Sequence, residues 1–163
     1  MNLPPYLNFP NIGNDTISLR QIFSVDSKDL VEISFYDAVQ ASTVQKAAEM
    51  QDRINEDYVD GSSIHWGIED RLSGQLVGTC GYYRGFDKGQ GELGCVLLPQ
   101  YRGKGYMAAA MQLAIAFGFD QMGLERIWAA TDQDNTAAIK LLERLDFIKV
   151  GELENEIEYE RMR

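Results

Sequence analysis

After the apolar run Cys95-Val96-Leu97-Leu98 and Pro99 comes Gln100-Tyr101-Arg102-Gly103-Lys104-Gly105, and directly after it a long helix-patterned stretch begins near Tyr106. This order of strand, glycine-bearing loop and helix constrains the fold more than any other feature of the chain. Glycines at 103 and 105 permit positive φ and close backbone approach. Consecutive N–H groups can then converge on an anion at a helix N-terminus, where the helix dipole also favours negative charge. The segment therefore predicts a main-chain cradle for phosphates.

The 163 residues suit one well-buried domain covering 1–163 and are too few for two comfortable ones. The chain reads as a loop to about Asp15, then a half-buried strand over Thr16–Ile22, where apolar and polar residues alternate. Two helices follow, the first capped by Asp26 or Ser27 and running through Leu30, Val31 and Phe35. The second is capped by Ser42 or Thr43 and continues toward Tyr58, before Gly61 ends it. Runs at Ile64–Ile68 and Leu76–Tyr83, joined by Arg71-Leu72-Ser73-Gly74, predict a hairpin. Gly85–Gly91 is a turn and Glu92–Leu98 a strand. The stretch Tyr106–Phe117 is apolar almost all round and so predicts a buried helix. A strand at Arg126–Ala130, a helix at Asn135–Leu145 and strands near Ile148–Leu153 and Ile157–Met162 complete a mixed sheet.

Composition excludes several classes. A net charge of −10 disfavours nucleic acid and anionic membrane and favours a basic or amine-bearing partner. No apolar run approaches a membrane span, and Met1–Tyr6 lacks the basic and apolar parts of a secretory signal, so a cytoplasmic protein is expected. Cys80 and Cys95 sit in strand-like runs without metal-ligand spacing and read as buried free thiols. The lone His65 has no partners for metal or triad chemistry and reads as structural. No metal is expected.

Three anion-binding loops use glycines, each with different neighbours. A Walker loop needs Ser or Thr after Gly-Lys, and here Gly105 and Tyr106 follow Lys104. Gly103-x-Gly105-x-x-Ala108 fits the dinucleotide pattern, but Glu125, the acidic residue near the required distance, precedes its strand rather than ending it. The third pattern is Gln/Arg-x-x-Gly-x-Gly/Ala between strand and helix, followed some thirty residues on by Asn-x-x-Ala-x-x-Leu-x-x-x-x-x-Phe. The chain has both parts: Gln100-x-x-Gly103-x-Gly105, and Asn135 through Ala138 and Leu141 to Phe147. Here it resembles the GNAT superfamily of N-acetyltransferases, and Glu92–Tyr106 is most similar to the RimJ/RimL branch, whose members acetylate N-terminal amines of ribosomal proteins.

The resemblance covers the chain from about Thr16 to its end. It implies an α/β (α+β) fold, a mixed, mostly antiparallel sheet flanked by helices on both faces and splayed open between the strands at 92–98 and 126–130. It also implies acetyl-CoA in that gap, with its pyrophosphate on N–H groups from about Tyr101 to Tyr106, a run that includes Arg102, Gly103, Lys104 and Gly105. Its pantetheine arm would pair with the backbone at Cys95, Val96 and Leu97, while Gln100 belongs to the loop motif and Asn135 helps hold the cofactor. Arg102 and Lys104 flank the cradle and could attract phosphates. The implied partner is an amine, plausibly a basic peptide or protein N-terminus, and a homodimer is implied by resemblance alone.

Acetyl transfer needs a neutral amine, a polarised carbonyl and a proton for the departing thiolate. Glu92 is the candidate general base, at the start of the strand whose far end delivers the loop. Strand alternation puts Glu92, Gly94, Val96 and Leu98 on one face and Leu93, Cys95 and Leu97 on the other, so Cys95 faces away and direct transfer in a ternary complex is favoured. Leu142 stands where many members of the superfamily carry a tyrosine acid, and Ala138 where RimJ/RimL-like proteins often carry serine. Asp146 and Ala109 also depart from the usual glycine and glutamate. Tyr82, Tyr83, Tyr101 and Tyr106 remain candidates for binding or proton donation. A small-amine acetyltransferase and a non-catalytic acyl-CoA-binding module are the alternative functions.

Overall fold

The computed structural model describes residues 1–163. Eight of its ten strands form one sheet: β1 (Ile12–Gly13), β2 (Ile17–Gln21), β5 (Ile64–Asp70), β6 (Leu76–Tyr83), β7 (Gln90–Leu97), β8 (Arg126–Asp132), β9 (Ile148–Leu153) and β10 (Glu156–Met162). Their spatial order is β1-β2-β5-β6-β7-β8-β10-β9, and every neighbouring pair is antiparallel except β7 and β8. A separate two-stranded hairpin joins β3 (Phe35–Tyr36) to β4 (Val39–Gln40). The helices are α1 (Ser27–Leu30), α2 (Val44–Val59), α3 (Tyr106–Phe117) and α4 (Thr136–Arg144).

Alternation along the strands sorts the two faces. Ile64, Trp66 and Ile68 of β5 pair with Tyr82, Cys80 and Gly78 of β6, and these with Leu93, Cys95 and Leu97 of β7. That face packs under α3: Trp66 is fully buried and meets Phe117 edge-on at 5.3 Å. The Tyr82 hydroxyl donates to the Ala114 carbonyl at 2.9 Å. Alanines at 110 and 114 let the helix lie close enough for that bond. The opposite face, with His65, Thr79 and Tyr83, is covered in part by α1 and α2. Helices therefore flank both faces of a mostly antiparallel sheet, as the family resemblance implies.

Three expectations are corrected. The segment predicted as one helix from residue 26 or 27 to Phe35 holds a single α-turn, Ser27–Leu30, between two 3-10 turns. The Ser34 hydroxyl donates to the Leu30 carbonyl at 2.7 Å, drawing the backbone out of the helical ladder. The chain then turns through Asp37 and Ala38, both at positive φ, as a two-residue hairpin requires. The N-terminal loop contains β1, which pairs Ile12 with Leu19. Strands β7 and β8 are longer than predicted, because long-range pairing extends them beyond their apolar runs.

The decisive feature is how β7 meets β8. They pair over only three positions, Gln90 with Arg126, Gly91 with Ile127 and Glu92 with Trp128. Arg126 clamps this closed end: its guanidinium donates to Gln90 at 2.6 Å on one strand and to Glu158 and Glu160 at 2.5 Å on β10. Beyond Glu92 the two strands part, β7 staying with β6 and β8 with β10.

Candidate functional site

The parted strands leave polar main chain without a partner. Leu98 donates its N–H to the Val77 carbonyl at 2.9 Å. Antiparallel bonding alternates, so Val96 and Gly94 also turn their polar groups toward β6. Those of Cys95 and Leu97 then face the gap, where only the Arg102 guanidinium approaches the Leu97 carbonyl, at 3.5 Å. Of the predicted trio Cys95, Val96 and Leu97, the first and last present main chain to the gap. Val96 does not; its half-exposed side chain lines a cavity on the other side of the sheet.

At the far end of β7 the glycine loop narrows the predicted cradle. The N–H groups of Tyr101 and Arg102 are engaged in a 3-10 turn, donating to Leu98 and Pro99 at 3.0 and 3.3 Å. From Gly103 through Ala108 no main-chain N–H has an acceptor in the protein, and no side chain caps α3. Gly103 and Gly105 stand at φ +72° and +85°. A Cβ at either would meet nothing within 4 Å, so these glycines are required by their backbone conformation and face open space. Unpaired amides at the start of a helix suit an anion. The sequence suggests a cradle at Tyr101–Tyr106; the unpaired amides run from Gly103 to Ala108.

Two tyrosines brace the loop. Tyr101 donates its hydroxyl to Gln75 at 2.8 Å and Tyr106 donates to Asp70 at 3.2 Å, tying the loop to the β5–β6 turn. Their rings meet edge-on at 6.0 Å, and the Lys104 ammonium lies 5.7 Å from the Tyr101 ring centre. Hydrogen bonds from Ser73 hold the Asp70 carboxyl below the usual carboxylate range, so it stays an acceptor. Gln100, Arg102 and Lys104 are exposed beside the cradle. Asn135 caps α4 by accepting the Ala138 N–H at 3.1 Å, just past the end of β8, and its amide NH2 has no protein acceptor.

Glu92 stands at the vertex, the last residue of β7 paired to β8. It shares a face with Tyr83, its partner on β6. Both carboxylate oxygens accept from Arg84, at 2.5 and 2.7 Å. The carboxylate is 14% exposed and the arginine 76%, so solvent weakens the pair and leaves the arginine free to swing away. Cys95 lies on the opposite face against Cys80, and a hydrogen bond to that sulfur, then burial, push its thiol well above its ordinary range. A protonated thiol turned away from Glu92 is no nucleophile.

The candidate proton donors separate. Tyr82 is committed to Ala114 in the core, and Tyr101 and Tyr106 to the loop brace. Leu142 is buried and apolar. Tyr83 makes no hydrogen bond to the protein, and its ring lies over Gly94, 2.8 Å from where a Cβ would be. Burial pushes the Tyr83 phenol well up, so it stays protonated. It lines a cavity of about 230 Å³ under α2, together with His65, Thr79, Gly94 and Val96. The sequence reading missed Arg84 and this cavity. The hairpin register that sets Tyr83 opposite Glu92 was the only signal for them.

Residues 17–148 match the acetyltransferase (GNAT) domain family. The chain belongs to this family. It is 29% identical over 153 residues to the uncharacterized N-acetyltransferase YoaA of Bacillus subtilis (strain 168), covering 89% of this chain and 86% of that protein. It is 34% identical to the spermidine N(1)-acetyltransferase of Escherichia coli (strain K12) over 65 residues, 40% of this chain and 35% of that protein. The ribosomal-protein-S5-alanine acetyltransferase of Vibrio fischeri shares the fold with a TM-score of 0.79 at 21% identity, covering 94% of this chain and 96% of that one. GNAT membership makes the protein an N-acetyltransferase and implies acetyl-CoA as cosubstrate. No helix is long and apolar enough to cross a membrane.

Proposed function

We propose that this GNAT protein moves an acetyl group from acetyl-CoA directly to a primary amine in a ternary complex, and that the amine is a protein or peptide N-terminus. The observation that supports the reading is the parting of β7 from β8 immediately after Glu92, which leaves open main chain along β7 between that carboxylate at one end and the unpaired Gly103–Ala108 amides at the other. Acetyl-CoA supplies an activated thioester. The residues fit such a group: the Gly103–Ala108 amides suit a diphosphate, with the side chains of Arg102 and Lys104 beside them and Gln100 in the same loop. Main chain at Cys95 and Leu97 suits an extended amide-bearing arm, which can add to β7 as a strand would. The free NH2 of Asn135 is a further donor at the far end of β8.

Glu92 takes the proton from the ammonium that an amine presents at neutral pH. General-base help of this kind is worth about a hundred- to ten-thousand-fold. Its release from Arg84 precedes that step. Tyr83 offers a protonated hydroxyl on the same face.

A polyamine is the second reading, favoured by the segment of similarity to the E. coli spermidine enzyme. Incubation with acetyl-CoA and a panel of N-terminal peptides, polyamines and aminoglycosides, with release of free thiol as the signal, tests the assignment. Peptide-dependent release is expected, and no release with any amine would remove the catalytic reading in favour of a binding module. In Glu92→Gln, turnover should fall at least a hundredfold while acetyl-CoA affinity stays within twofold. Wild-type turnover in that variant would take Glu92 out of the reaction.

A further inference from the structure

The cavity between α2 and the outer face of β6 and β7 has a chemical character that family membership does not supply. It adjoins the vertex: Tyr83 is the cross-strand partner of Glu92, and Gly94 follows two residues along the same face, about 7 Å away. Its volume of about 230 Å³ is room for roughly eight waters at about 30 Å³ each. None of its lining residues is an aspartate, glutamate, lysine or arginine. Its hydrogen-bonding side chains are neutral, chiefly Gln51, Thr79, Tyr83 and His65. Burial lowers the imidazole to about 4, and its Nδ1 is buried with no partner. The His65 and Tyr83 rings lie 5.6 Å apart at one end of the space.

We propose that this cavity seats the group attached to the reacting amine, and that it accepts a primary amine borne on an uncharged, mostly apolar group while rejecting acceptors with a second cationic centre there. The proposal rests on the acetyltransferase reading above. A second ammonium entering the cavity would lose its water and find no carboxylate to replace it. The net charge of −10 draws cations toward the surface generally. It does not offset a local desolvation, because exposed charges are screened beyond about 8–10 Å. The first residue of a peptide with a small neutral side chain fits this chemistry, and so does a neutral-flanked monoamine.

His65 is the only histidine, so its imidazole C2 proton is a single, self-assigned NMR signal at the cavity wall. The protein saturated with CoA is titrated with an alanine- or serine-initiated peptide, with butylamine and with spermidine, and the same amines are assayed with acetyl-CoA. The peptide should shift the signal saturably, spermidine should leave it in place, and kcat/KM for the peptide should exceed that for spermidine at least tenfold. Met50→Glu, which puts a carboxylate on the α2 wall, should reduce that ratio at least tenfold, whereas Met50→Gln should not. A response to butylamine equal to that of the peptide supports the same selectivity and assigns the source to small amines. Spermidine preferred over the peptide, or a peptide turned over without any movement of the His65 signal, overturns the proposal. With no turnover on any amine the acetyltransferase reading fails, while the titration still decides what the cavity binds.

Discussion

Lowering the pH from 7 to 5 should weaken the fold mainly through His65. In the folded protein burial lowers this imidazole to about 4, against an ordinary 6.5. The unfolded chain therefore binds a proton as pH falls through 6.5, and the folded chain excludes it until about pH 4. Stability is complete above pH 6.5 and is lost progressively down to pH 4. A lowering from 6.5 to about 4 corresponds to about 3.4 kcal/mol at the acid limit and about 2 kcal/mol at pH 5. Both figures are upper values, because part of the ring is open to the cavity and solvent reduces the shift. With a urea slope of about 2 kcal/mol/M, the unfolding midpoint should fall by up to about 1 M between pH 7 and pH 5. The carboxyls of Asp26 and Asp70 are held below their ordinary values, so their losses belong to a more acidic range. Paired urea melts at the two pH values, on the wild type and on His65→Gln, make the measurement; the variant should lose most of the dependence. An NMR titration placing the imidazole at 6 or above, or a variant with the wild-type slope, would refute the reasoning.

Gly105→Ala places an L side chain at φ +85°, a backbone cost of about 1–2 kcal/mol. No protein atom is in its way, so calorimetry should show acetyl-CoA affinity reduced at least tenfold with the fold retained. Arg84→Ala should change stability by under about 1 kcal/mol, since the pair is largely exposed on the arginine side, and should raise turnover up to about fivefold by freeing Glu92; steady-state kinetics check this. A Cβ at Gly118 would lie 2.3 Å from the Tyr82 hydroxyl. Gly118→Ala should therefore cost about 1–3 kcal/mol, and adding Tyr82→Phe should recover part of it, a coupling that a double-mutant cycle in urea reads directly.

What was legible in the sequence was local. Apolar runs, alternation and turn residues mark the β5–β6 hairpin, and the loop at 100–105 announces its own conformation because two of its positions adopt φ that side chains oppose. The start of α4 near Asn135 was legible for the same reason, since a capping side chain acts on the next turn of its own chain. The stretch from Ser24 to Phe35 misled because its apolar spacing is helical while Ser34 bonds back to Leu30 and ends the turn. The pairing of Glu92 with Arg84 lay across a turn whose path the residues do not dictate.

By itself the sequence determined the glycine loop between β7 and α3, the buried helix behind it and the alternation that turns Cys95 away from Glu92. Each depends on residues within one turn of helix or one strand. Only the tertiary structure decided that β7 and β8 part at Glu92, that Cys95 and Leu97 rather than Val96 face the gap, and that an uncharged cavity adjoins the vertex. The parting follows from the register between β7 and β8, thirty-six residues apart, held at the closed end by Arg126 with Gln90, Glu158 and Glu160, and the other two from the register of β7 on β6. No local propensity encodes such a register, because it is set by which distant side chains meet once the core has closed.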